Sequence, residues 1–164
     1  MEMKDNSAGP RYVVVGVGNP YMKDDGIGIA VVRELKKRDL GSNVLVLERQ
    51  LLDISLLLLT ETASRLIIVD AVRSGRLPGT LVRFEATGRR SPGLNVPLSH
   101  DIRLTDIISL ARENRIALCP MVVIGVEPAD CTIGEGMTKS VRESLATAVE
   151  AVTVELKKPH QGGR

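Results

Sequence analysis

The chain has 164 residues, 43% hydrophobic and 26% charged, a length that fits one domain over 1–164 with an ordered core over about 12–157. A net charge of +2 gives no basic face for nucleic acid, and two cysteines, Cys119 and Cys131, cannot build a disulfide framework or a four-thiolate zinc site. Aromatic residues are 2% of the chain, so the core must be aliphatic, and no run reaches the roughly 18 apolar residues needed to cross a bilayer. The polar first eleven residues lack the apolar region of a secretion signal, so a cytoplasmic enzyme or small-molecule binder is expected.

In chain order, Tyr12-Val13-Val14-Val15-Gly16-Val17 is an almost unbroken apolar run and predicts a central strand buried on both faces. Residues 25–38 follow helical spacing through Ile29, Val32 and Leu35, and Lys36, Lys37 and Arg38 suit a helix C-terminus. Residues 43–48 predict a second strand and 52–63 a buried helix; 65–70 predict a third strand that ends in Asp70. Residues 80–85 follow the Pro78-Gly79 turn as a fourth strand, and 86–97 carry the Gly, Pro and Arg of a loop. A helix over 105–114, capped at Thr105, leads to a last strand over 119–126. The long helix over 137–157 has its apolar stripe at Val141, Leu145, Ala148, Val149, Val152 and Leu156, and the tail over 159–164 is expected to be disordered. Strands alternating with helices in this way predict an α/β protein, a three-layer αβα sandwich around a mostly parallel sheet.

In such folds the active crevice lies beyond the carboxyl ends of the strands. Gly16-Val17-Gly18-Asn19-Pro20 leaves the first strand, and its glycines allow a tight turn and close approach of a ligand. A dinucleotide fingerprint would want a third glycine where Tyr21 stands, although Glu48 sits where a ribose-binding acid belongs. The adjacent acids Asp24 and Asp25 would repel a pyrophosphate. One acid suffices to cap a helix, so Asp24 reads as the cap and Asp25 as functional. Asp70 suits a turn cap in isolation, but its place at a strand end beside the first crevice favours function. His100, in Pro97-Leu98-Ser99-His100-Asp101, is the one well-placed imidazole, since His160 lies in the tail. Two carboxylates and an imidazole can hold a borderline divalent ion such as nickel or zinc with open positions. Cys131 paired with His100 would make a nucleophile, against the commoner role of a free cysteine as a small buried hydrophobe.

The residues Val13 to Asn19, followed by Asp24-Asp25-Gly26-Ile27-Gly28, resemble the opening of the hydrogenase maturation endopeptidases. Three later blocks agree in order: Leu66-Ile67-Ile68-Val69-Asp70-Ala71, Leu98-Ser99-His100 and Val123-Ile124-Gly125-Val126-Glu127-Pro128. The resemblance covers about 12–152. It implies a twisted, mostly parallel five-stranded sheet with one antiparallel strand, expected at 80–85. The activity it implies is removal of a C-terminal extension from the large-subunit precursor of a nickel–iron hydrogenase after nickel insertion. Asp25, Asp70 and His100 fall on the family's metal-contacting and catalytic positions. They would contact nickel carried by the precursor, with no tightly bound cofactor of the enzyme's own. The implied partner is that precursor, with no nucleic acid and no membrane insertion, and a monomer is expected. Where many members carry a glycine-rich segment after the second strand, this chain has Glu48-Arg49-Gln50-Leu51-Leu52-Asp53. Other readings are a nucleotide-binding module, a non-catalytic nickel-sensing maturation chaperone, and a peptidyl-tRNA hydrolase-like enzyme. The last shares Val17-Gly18-Asn19-Pro20 but lacks the downstream His-Asn pair.

Overall fold

The computed structural model describes residues 12–86 and 104–158. Five strands, β1 (Tyr12–Val17), β2 (Val44–Arg49), β3 (Arg65–Ala71), β4 (Leu81–Ala86) and β5 (Met121–Val126), form one sheet in the order β2-β1-β3-β5-β4. All neighbours are parallel except β4, which runs antiparallel to β5, Leu81 opposite Val126 and Ala86 opposite Met121. The expected mixed sheet with its antiparallel strand is therefore present. The helices are α1 (Ile27–Leu35), α2 (Leu56–Thr62), α3 (Leu104–Glu113) and α4 (Lys139–Lys157).

The strand period of two sorts the apolar residues onto two faces. Val13, Val15 and Val17 of β1 join Leu66 and Ile68 of β3 against α2 and α3. Val14, Ile67 and Val69 join Ile124 of β5 against α1 and α4. Every residue of β1 and of β5 is buried, as helices on both faces require.

Where element ends depart from the sequence reading, local chemistry accounts for it. The second helix starts at Leu56 rather than 52, because the Asp53 carboxylate accepts from the Ser55 amide at 2.7 Å and closes a turn there. β5 starts at Met121 rather than 119, because Pro120 has no amide for the ladder; its carbonyl accepts from Leu66 instead. The first helix does not begin at Asp25: a 3-10 turn over Lys23–Gly26 precedes α1. Thr105 lies inside α3, whose cap falls outside the described residues, as do most of the 86–97 loop and the 159–164 tail. No helix among the described residues is long and apolar enough to cross a membrane.

β1 leads through α1 to β2 on one side, and the chain returns through α2 to β3 on the other. The winding reverses between β1 and β3, and their carboxyl ends flank the crevice where such folds bind ligands.

Candidate active site

Each of the two expected acids within the described residues sits at that reversal. Asp25 lies in the 3-10 turn after β1 and is 2% exposed. One of its carboxylate oxygens, Oδ2, accepts the Asn19 amide at 2.7 Å. Gly18 has φ of +138°, and a Cβ there would stand 1.9 Å from the Asp25 carbonyl oxygen. The second glycine of the Gly16-Val17-Gly18 turn is thus required twice, by its backbone angle and by the packing of the Asp25 turn against it. Asp70, the penultimate residue of β3, is fully buried, and its Oδ1 accepts from the Ala71 amide at 2.7 Å. β3 packs directly against the 3-10 turn, which brings the two acid-bearing segments together. His100 lies outside the described residues.

The loop after β5 lies against the turn that carries Asp25. Its Cys131 thiol is pushed above the ordinary value, first by burial, and then by the carboxylates of Asp25, Asp24 and Asp130 against the opposing pull of Arg73. Those neighbours come from the loops after β1, β3 and β5, so three strand ends converge around Cys131. A thiol raised in this way is a poor nucleophile. Cys119 is raised further, to about 11, by burial. Glu127, 6% exposed, braces the loop after β3: it accepts from the Ser74 amide and hydroxyl, both at 2.6 Å, and from the Arg76 amide at 3.3 Å. Burial pushes its carboxyl up, but these donors together hold it below the ordinary range. The sequence signalled Glu127 only by its place at a strand end.

Asp24 does not cap the helix. The residue before α1 is Gly26, and no side chain caps that end. Asp24 is instead fully buried, with its carboxylate turned to the loop after β5. It accepts from the amides of Ala129 at 2.8 Å, Asp130 at 2.9 Å and Thr138 at 2.7 Å, and from the Thr138 hydroxyl at 2.8 Å. The ribose-acid reading of Glu48 also fares badly. Its carboxylate is held below its ordinary value chiefly by Lys36 at 2.9 Å, with Arg33 at 3.0 Å on the other oxygen.

Buried carboxylates at a strand-end crevice suit proton transfer or coordination of a divalent cation. Among the described residues no group of three or more His, Cys, Asp or Glu would hold a metal.

The fold and the site define a doubly wound α/β domain with two buried acids on touching segments at the β1/β3 reversal. Its relatives specify the family: residues 29–155 match the family model described as HycI, hydrogenase maturation protease, and the chain belongs to that family. It is 31% identical over 154 residues to the hydrogenase expression/formation protein HupD of Bradyrhizobium diazoefficiens, covering 90% of this chain and 79% of that one. It is 28% identical over 149 residues to the hydrogenase 2 maturation protease of Escherichia coli, covering 90% and 91%. Among solved structures, the E. coli hydrogenase maturating endopeptidase HybD superposes with a TM-score of 0.75 at 27% identity, over 90% of this chain and 92% of that one. The chain is a peptidase of this family. Asp70 and His100 fall inside the matched segment; Asp25 lies just before it.

Proposed function

We propose that this peptidase removes a C-terminal extension from the large-subunit precursor of a nickel–iron hydrogenase, and that it does so only after the precursor holds nickel. In this reading Asp25, Asp70 and His100 contact the nickel that the substrate carries. The observation that supports it is the position of Asp25 and Asp70, two buried acids on segments in contact at the one place where the winding of the sheet reverses.

Two carboxylates and an imidazole attract a divalent cation, but three ligands in an open cleft hold it loosely. A precursor that binds nickel through its own thiolates supplies the rest of the shell, so the ion bridges enzyme and substrate. Bridging nickel can orient the scissile segment and polarise its carbonyl or a water. Asp25 and Asp70, both within the crevice, then hold the ion or accept the proton of that water.

The test compares nickel-loaded with thoroughly chelated precursor by mass spectrometry. Loaded precursor loses its extension and stripped precursor does not, at any enzyme concentration. Equal cleavage of both forms removes nickel from recognition and leaves a peptidase that reads sequence alone. Binding of loaded precursor without cleavage points to a nickel-sensing chaperone.

A further inference from the structure

A 3-10 turn has poor hydrogen-bond geometry and does not hold itself rigidly. The turn that presents Asp25 is held from outside. The Lys23 amide donates to the Gly134 carbonyl and the Gly134 amide donates back to Tyr21, forming a bridge between Met22 and Gly134. The Asp24 amide donates to the Asp130 carbonyl at 3.0 Å, and the Lys23 ammonium pairs with Asp130 and Thr132. Lys23 itself is kept at φ of +46°, a left-handed conformation that a lysine adopts only when its surroundings enforce it.

The centre of this clamp is the Asp24 carboxylate, with its four acceptor bonds. All four donors belong to residues 129–138, more than a hundred positions away in the chain. Thr138 supplies two of those donors, its amide and its hydroxyl. It occupies the N-cap of α4, where its hydroxyl would normally accept from an amide of the first helical turn. It makes no such cap; its proton goes to Asp24, and its oxygen stands 3.5 Å from the Ser140 hydroxyl. The start of the longest helix is therefore fastened to the turn that carries Asp25.

We propose that Asp24 and Thr138 are positioning residues for proteolysis: their contact fixes the Asp25 carboxylate against the Asn19 amide and thereby sets how efficiently the precursor is processed. The proposal rests on the reading of Asp25 as a residue of the site.

Thr138→Val removes the hydroxyl donor with nearly the same shape, and because Thr138 does not cap α4 it leaves the helix end alone. Thr138→Ser restores the donor. The direct reporter is the Asn19 amide, which lies 2.7 Å from Asp25 Oδ2; its proton shift and hydrogen-exchange protection follow the position of that carboxylate. In Thr138→Val the protection falls, kcat on nickel-loaded precursor drops by about 10–100-fold, the scale of a misplacement near 1 Å, and KM rises with it, because the same carboxylate contacts the bridging nickel. Thr138→Ser returns all three. Asp24→Asn, which turns a donor toward the Thr138 amide, has the larger effect on the same readouts where it folds. Thr138→Val alone suffices where it does not, since three of the four bonds remain. An unchanged Asn19 amide and unchanged kcat in folded Thr138→Val overturn the proposal. A disturbed Asn19 amide with full kcat overturns it differently, by removing Asp25 from the site.

Discussion

Gly28 offers a sharp test of how closely α1 rests on the strand-end crevice. A Cβ at this position would stand 2.2 Å from the Val17 carbonyl oxygen of β1 and 2.3 Å from the Val69 carbonyl oxygen of β3. Two effects of Gly28→Ala compete. Alanine gains at most about 0.5–1 kcal/mol over glycine in a helix. Against this, restoring ordinary contact needs the helix to retreat by about 1 Å, an overpacking that typically costs about 1–3 kcal/mol. The upper end applies here, because the two oxygens belong to neighbouring strands and moving away from one does not relieve the other. The clash wins, with net destabilisation of about 2–2.5 kcal/mol. For a domain of this size that lowers Tm by about 4–10 °C in calorimetry. Activity falls further than the unfolded fraction explains, because the retreat carries the Asp25 turn three residues away. A Tm equal to or above the parent's refutes the close approach of α1 to both strands.

Two further outcomes follow from the charges. Cys131→Ser leaves processing of the precursor intact, and the thiol reacts slowly with iodoacetamide at neutral pH, because burial and three nearby carboxylates keep it protonated; loss of processing would reinstate a cysteine nucleophile. Glu155, 2% exposed in α4, is bound by Arg83 at 2.6 Å, Arg65 at 3.3 Å and Lys158. Burial pushes its carboxyl up, but Arg83 and Lys158 outweigh this and hold it below its ordinary value of 4.5. A depressed folded value means that its contribution is complete above about 4.5 and is lost as pH falls through the folded value. Glu155→Gln therefore lowers stability near neutral pH and flattens the acid limb of the stability curve below 4.5, measured by denaturant midpoints across pH.

The inner strands were legible because they are buried on both faces, and such strands must be written as continuous apolar, largely β-branched runs: Val13-Val14-Val15 and Leu66-Ile67-Ile68-Val69 have no plausible helical reading between their flanking turns. The antiparallel direction of β4 was different in kind. Nothing in Leu81–Ala86 encodes direction, and it came from the family resemblance. The ends of α2 and β5 were missed by two to four residues because Asp53 and Pro120 act locally against an apolar pattern that runs past them. Asp25 and Asp70 were legible as strand-end acids, since the rule that places ligands there needs only the order of elements.

Asp24 was misread because sequence distance hides its partners. Two adjacent acids before a helix can be a cap and a functional group, or a clamp and a functional group, and the pattern DDG is the same for both. The cap is a local device, completed within three residues, so it is the natural inference from a sequence. The clamp needs donors that only the folded chain brings together, from residues 129, 130 and 138. Burial decides between them physically. A capping aspartate sits at a helix end with water for its remaining lone pairs, whereas Asp24 has none of its surface exposed and must find every partner within the protein. Four donors, three of them backbone amides that do not depend on side-chain identity, meet that need without a cation. Asp25, one residue on, sits in a turn that this neighbour holds in place. In the function proposed above, the paired acids divide the work: one holds the turn, and the other faces the substrate's nickel.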